Sequence, residues 1–355
     1  MSARNQGGCE RSKIIGGMFG LELGGDFFRP EGAVLPPLLI RPHLRLATAR
    51  SGFALLAETL KPGSVWLPSY LCSVIPQSVA SRNFQVRYYA VDEHLGIAGH
   101  DWLREIRRGD MVVFIDYFGF RTWEASGEQA RQHGAWVIED TAQAMLNMSF
   151  SDQSHYIIAS PRKFVGVPDG GILAVGTDVL LPEVELAASD SAWWLKALRA
   201  SMLRAEFDRH GGDREWFEIF LETEAAGPSE PRRMSELSQL LLERLDWAEI
   251  SRARRGNYQF LASELGRLAL FPDLPPETVP LGFPIRVRDR DWLRQTLFDA
   301  QIYPPVHWQI GRVVPDDFKA SHALAGEIMT IPCDQRYGRE DLERVVNCLA
   351  KAQPA

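Results

Sequence analysis

From about residue 42 to about residue 176, short apolar runs alternate with helix-length segments, and this alternation constrains the fold more than any other feature of the chain. "SVWLPS", "QVRYYAVD" (85–92), "MVVFIDYF" (111–118), "AWVIEDTAQA", "HYIIAS" and "GGILAVG" are short and rich in β-branched and aromatic residues, which predicts strands. "SGFALLAETL" (51–60) reads as a helix with Ser51 as its N-cap and Pro62-Gly63 as its stop, and 123–133 reads as another, ended by Gly134. Strands alternating with helices build βαβ units, so an α/β fold with a mostly parallel sheet is expected. The last two apolar runs are close enough for a hairpin. Beyond residue 180, "AWWLKALRASMLRAEF" and "SELSQLLLERLDWAEISRARRGNYQFLASEL" read as long helices. The Pro-rich "FPDLPPETVPLGFP" then leads to a strand "IRVRD", a helix "DRDWLRQTLFDAQ" and a closing helix "REDLERVVNCLAKA". The expected organisation is a large domain over 1–248, including an N-terminal segment whose first 13 residues are loose, and a smaller α+β domain over 249–355.

Composition narrows the function classes. The 355 residues are 45% hydrophobic and 24% charged, with a formal net charge of −7, which argues against a nucleic-acid partner. The basic runs Arg104–Arg108 and Arg252–Arg255 read as solvated helix faces. Cys9, Cys72, Cys333 and Cys348 are scattered and form no CxxC pair, so neither a zinc site nor a disulfide framework is expected. The first residues lack the apolar core of a secretion signal, and no run approaches the ~18 apolar residues of a membrane span. The expectation is a cytoplasmic protein with no metal and no membrane partner.

In a parallel α/β sheet, ligands sit beyond the carboxyl ends of the strands. "WVIEDTAQ" ends in Glu139-Asp140, with Gln143 three residues on, and side-chain alternation sends only one of the two acids toward a site. That acid suits a metal, a ribose, general base catalysis, a protonated ring nitrogen, or a structural ion pair. "ARSGFALL" sets Ser51-Gly52 at a helix start, where free amides bind phosphate or simply cap. "SPRKFVGVPDGG" places Lys163 after a strand and before a Gly-rich turn. A free lysine titrates near ~10.4. Partial burial beside a cation such as Arg162 activates it for Schiff-base chemistry, whereas a surface lysine has no such role. A phosphate-binding helix start, an acid at a strand end and a lysine after the next strand are together the parts of a pyridoxal-phosphate site.

With these residues in view, the chain resembles the DegT/DnrJ/StrS family of pyridoxal-phosphate-dependent sugar aminotransferases over nearly its whole length. The resemblance runs in order through "SGFALL" (51–56), "LPSYLC" (67–72), "VIEDTAQA" (137–144), "SPRKF" (160–164), "PDGG" (168–171), "RMSE" (233–236) and "MTIP" (329–332). It implies the type I fold, a seven-stranded central sheet between helices, and a homodimer with shared sites. It implies Lys163 as the lysine that carries pyridoxal 5'-phosphate, Asp140 as the partner of the ring nitrogen, and Gln143 near the ring hydroxyl. Ser51, Gly52 and the Phe53 amide would meet the phosphate, and Cys72 falls where the family stacks an aromatic on the ring. Further departures are Phe53 for a threonine, Ile158 for a serine, Phe164 for an asparagine and Pro231 for another asparagine. They leave a phosphate cup poorer in polar side chains, for which Ser160, Arg162, Arg233 or backbone amides can compensate.

The activity implied is transfer of an amino group, with glutamate as donor and a keto sugar, nucleotide-linked, as acceptor. Tyr117, His307 and Arg233 are the substrate-side candidates. His307 and Trp308 lie in "IYPPVHWQIG", and "IGGMFGLELGG" (15–25) would border the site. Trp193 and Trp194 read as packing, and "DQRYG" (334–338) as a surface turn with Arg336 available to a substrate phosphate. The alternatives are another pyridoxal-phosphate reaction, or a non-catalytic relative acting as sensor or scaffold. A dinucleotide-binding enzyme is remote, because no strand leads into GxGxxG.

Overall fold

The computed structural model describes residues 13–22, 27–28, 34–80 and 84–352, so the expectations for residues 1–12 and 23–25 lie outside the described residues. The strands are β1 (Ile15–Gly16), β2 (His43–Leu46), β3 (Ser64–Pro68), β4 (Gln85–Tyr89), β5 (Met111–Ile115), β6 (Trp136–Asp140), β7 (Tyr156–Ala159), β8 (Gly171–Val175), β9 (Ala187–Ala188), β10 (Arg232–Arg233), β11 (Phe283–Arg286), β12 (Ile302–Tyr303) and β13 (Ile328–Ile331). Nine of them form the main sheet in the order β4-β3-β5-β6-β7-β8-β2-β10-β9. β4, β3, β5, β6 and β7 run parallel. β8 is antiparallel to both β7 and β2, so the expected hairpin is present. The seven strands from β4 to β2 match the expected sheet, and the two-residue strands β10 and β9 extend it.

β5 is buried at every position, as a central parallel strand covered on both faces must be. Its Val112 and Phe114 share one apolar cluster with Tyr258, Phe283, Leu293 and Ile331 of the C-terminal part. Each fully buried side chain of this size contributes about 1.5–3 kcal/mol. In that part β11 pairs antiparallel with β13, while β1 reaches across to pair with β12.

Two local expectations are corrected. The helix Ala49–Leu60 is capped by Thr48, whose hydroxyl accepts from the Ser51 amide at 3.3 Å, so Ser51 sits inside the first turn rather than at the cap. The long apolar-periodic run breaks into helices Glu236–Leu242 and Trp247–Leu265, because Asp246 caps the second one. The boundary expected at 248 falls in the first turn of that second helix. A helix not anticipated, Glu215–Ala225, packs on Ser191–His210.

The motifs at the end of the hairpin have structural work. Asp169 of "PDGG" accepts from the Ser235 amide at 2.8 Å and the Ser235 hydroxyl at 2.5 Å, and also from the Ser238 hydroxyl. "PDGG" and "RMSE" are thereby clamped together. Gly171 is obligatory at the start of β8, since a Cβ there would lie 2.2 Å from the Thr48 carbonyl carbon. That close approach seats the end of the turn against the start of the helix Ala49–Leu60.

Two basic or polar runs expected on the surface are buried in part. Arg254 is fully buried, donating to the carbonyls of Phe164 (2.9 Å), Leu281 (3.0 Å) and Pro280 (3.2 Å) and to Gln335 (2.9 Å). Gln335 donates to the same Phe164 carbonyl at 2.8 Å. In "DQRYG", Asp334, Gln335 and Tyr337 are buried, and Arg336 is held by Asp334 through two nitrogens at 2.8 and 2.9 Å while stacking 3.9 Å from the Phe19 ring centre. A guanidinium so occupied is not free for a substrate phosphate. Among the described residues no helix is long and apolar enough to cross a membrane.

Candidate active site

β6 ends with its two acids on opposite faces. Glu139 turns into a buried network, accepting from the Ser154 hydroxyl at 2.6 Å and lying 3.3 Å from Arg121, which also faces Asp116 at 3.5 Å. Burial raises the carboxyls of both Asp116 and Glu139 against the pull of Arg121. This is a structural cluster. Asp140 faces the other way, into a cleft that it lines with Gln143 and Lys163. It is 5% exposed, and its carboxyl is pushed up to about 6 by burial, with Lys163 and the Ala142 amide pulling the other way. The Ala142 amide donates to it at 2.9 Å.

Lys163 ends a short 3-10 turn, Pro161–Lys163, that follows β7. It is half-buried and lines the same cleft as Asp140, with its ammonium 5.8 Å from the centre of the Trp308 ring. Gln143 lies on the floor. Its carbonyl oxygen accepts from the Phe118 amide at 2.8 Å, while its Nε2, buried, has no partner among the described residues. Such an orphaned donor is costly unless a ligand meets it. The remaining wall is Thr48, Ala49, Arg50, Phe53, Cys72, Ser160, Arg162 and Glu224, among others. Lys163, Ser160, Arg162 and Glu224 also border a second cavity, with Met18 and Phe19 from the N-terminal segment on its far side.

Of the residues singled out from the sequence, Asp140, Gln143, Ser160, Lys163, Phe53 and Cys72 converge on this cleft. Others do not line it. Ser51 is buried, and its hydroxyl donates to the carbonyls of Glu230 at 2.8 Å and Pro228 at 3.2 Å. Gly52 packs against Ile158 of β7. Tyr117 is buried and donates to the Tyr70 carbonyl. His307 is half-buried in its loop, 2.8 Å from the Thr330 hydroxyl, and desolvation first, then Lys163, pushes it down to about 3, so it is a neutral packed histidine. Arg233 lies on β10 and lines a separate surface pocket with Ser189 and Trp194.

Trp308 and Arg162, both marked in the sequence, line the cleft, and Arg50 and Glu224, which were not, join them. Trp308 brings an aromatic face to the cleft from the C-terminal part. Its amide donates to the Tyr70 hydroxyl at 3.0 Å, that hydroxyl donates to the His307 carbonyl, and the rings of Tyr70, Tyr117 and Trp308 lie 5.8–6.2 Å apart. Tyr117 and Tyr70 thus support the wall that Trp308 forms. Arg50 and Arg162 bring two guanidiniums to the start of the helix Ala49–Leu60, and Glu224 comes from the unanticipated helix. Arg50 adjoins the "SG" pair and was legible in principle, whereas nothing marks Glu224 among the acids around it.

No family model matches the chain, and no curated protein matches it. Solved structures do. The sugar aminotransferase CalS13 from Micromonospora echinospora is 16% identical, with a TM-score of 0.60 over 88% of this chain and 87% of that one. A DegT DnrJ EryC1 StrS aminotransferase from Brucella abortus is 15% identical, with a TM-score of 0.62 over 90% and 87%. NtdA from Bacillus subtilis, solved with bound cofactor PMP, is 15% identical, with a TM-score of 0.64 over 88% and 74%. The chain therefore has the fold of these aminotransferases, the type I fold that the resemblance led us to expect.

Proposed function

We propose that this protein is a pyridoxal 5'-phosphate-dependent aminotransferase whose reactive amine is Lys163. The observation that carries the reading is the convergence of Lys163, Asp140 and the unpartnered Gln143 Nε2 on one cleft. The residues fit the group. Lys163 would hold its aldehyde carbon, Asp140 its ring nitrogen and Gln143 its ring hydroxyl. Arg50, Arg162 and the first turn of the helix Ala49–Leu60 supply positive charge for its phosphate. When bound, the group supplies an electron sink for the bond being broken.

The chain's own residues do the rest. Lys163 Nζ is first the covalent anchor. Freed by an incoming amine, Lys163 Nζ would be the base that takes the proton from the substrate carbon and the acid that gives it back. Asp140, ionised, holds positive charge at the far end of the site. Trp308 and Phe53 wall the cleft with apolar surface, which limits water around Lys163. We assign glutamate as donor and a keto sugar, nucleotide-linked, as acceptor. Support for the acceptor comes from the solved neighbours, among them DesI in the presence of its TDP-sugar product, 16% identical with a TM-score of 0.61. A homodimer completes the reading, as the resemblance implies.

Asp140 gives a pH test. Above about 6 its carboxylate is charged and able to hold a cation, and below that it is neutral. In the apo protein, affinity for pyridoxal 5'-phosphate should therefore fall as pH drops through about 6. Asp140→Asn should flatten that limb and cost ~10²–10³-fold in kcat. The stability sign is opposite. A buried acid raised above its unfolded value is favourable only when protonated, so its contribution is lost as pH rises through about 6. D140N should be the more stable protein at pH 7, by up to about 3 kcal/mol in urea unfolding. A variant both less stable and unaltered in pH profile contradicts the placement of Asp140.

A further inference from the structure

The start of the helix Ala49–Leu60 is already covered by the chain itself. The Arg50 guanidinium donates to the Glu224 carbonyl at 3.1 Å and to the Gly227 carbonyl at 3.2 Å. The Thr48 hydroxyl donates to the Pro228 carbonyl at 2.7 Å, and the Ser51 hydroxyl to the Glu230 carbonyl at 2.8 Å. Arg162 forms an ion pair with the Glu224 carboxylate. Two hydroxyls and two guanidiniums, the side-chain donors nearest the helix start, are thus engaged by oxygens of the segment 224–230.

Glu224 is the anion in this arrangement. It borders both cavities beside Lys163 and Ser160. Burial raises its carboxyl, but Arg162, Arg50 and Lys163 outweigh that and hold it below the usual carboxylate range. A phosphate group asks for the same neighbours, namely two guanidiniums and the positive end of a helix. Arg162 cannot satisfy both anions fully, and two anions in one cup repel. The helix that carries Glu224 is joined to Ser191–His210 by the four-residue link 211–214, which contains Gly211 and Gly212. Trp216, Ile219 and Thr223 hold the body of that helix by burial, with the Trp193 indole donating to the Thr223 carbonyl at 3.0 Å, so the part left to move is its last turn and the loop to Glu230.

We propose that Glu224 is a built-in competitor for the cofactor's phosphate, and that the segment from 224 to 230 must lift for the phosphate to seat. The proposal rests on the pyridoxal-phosphate reading of the site. It makes Glu224 a determinant of cofactor retention: loss of the phosphate group lets the carboxylate return to Arg162.

The test compares pyridoxal 5'-phosphate with pyridoxal, which lacks the phosphate, in the wild type and in Glu224→Gln. Dissociation constants are read from the visible absorption of the lysine-bound form. E224Q should bind pyridoxal 5'-phosphate about tenfold or more tightly, with pyridoxal unchanged. An unchanged or reduced preference for the phosphorylated form overturns the proposal. A second measurement needs no variant. Hydrogen–deuterium exchange over 224–230 in the wild type should speed up when inorganic phosphate is added, and unchanged or slower exchange counts against the gate. The two readings fail separately: if neither pyridoxal compound produces a lysine-dependent band, the function proposed above is wrong, while phosphate-driven exchange still reports on Glu224.

Discussion

Lys163→Ala is expected to lower turnover by at least ~10⁴-fold and to remove the visible absorption that added pyridoxal 5'-phosphate gives the wild type. The argument is positional. Lys163 ends the turn after β7, at the carboxyl end of the parallel strands, and shares its cleft with Asp140 from the neighbouring β6. Its ammonium faces the Trp308 ring and fills no core. The substitution should therefore change stability by less than about 1 kcal/mol. A variant that unfolds would mean a structural lysine, and a variant that still turns over would place the chemistry elsewhere. Stopped turnover with an unchanged urea midpoint is the result the account requires.

Arg254→Ala should be the most destabilising single change in the neighbourhood, by about 3–5 kcal/mol in equilibrium unfolding. Its guanidinium lies wholly inside the protein and serves three carbonyls and one side-chain amide. Removal leaves those acceptors short of donors in an apolar surrounding, where each unmet group is costly. One of the carbonyls belongs to Phe164, the residue after Lys163. Hydrogen exchange at 160–168 should accordingly rise in Arg254→Ala even under conditions where the remainder stays folded. Arg254→Lys keeps the charge but cannot span four acceptors, so it should recover only part of the loss. If Arg254→Ala unfolds at the wild-type midpoint, the burial of Arg254 is misplaced.

The sheet was legible because its signals are local. β5, β6, β7 and β8 each announce themselves as short apolar runs, and strand-end placement follows from their order. Lys163 and Asp140 were legible for the same reason, since each sits one step from a strand whose direction is fixed. Ser51 was misjudged as the cap because a cap is decided by which hydroxyl faces back to the amides, and Thr48 does so three residues earlier. Tyr117 and His307 were drawn to the site by proximity in sequence, yet packing turned Tyr117 beneath Tyr70 and His307 toward Thr330. Arg254 looked like one of several solvated cations, because a run of arginines does not reveal which one meets four buried acceptors. Glu224 depends on a contact between distant segments, Arg162 and the helix Glu215–Ala225, and no spacing rule anticipates such a meeting.

The central claim, that Lys163 is the amine that takes up the cofactor, is tested most directly by reduction and mapping. The wild-type protein is incubated with pyridoxal 5'-phosphate, reduced with borohydride and digested, and the modified peptide is identified by mass spectrometry. The account predicts one dominant stable adduct, on Lys163. An adduct spread over exposed lysines such as Lys13 and Lys196, with Lys163 unmodified, would contradict it.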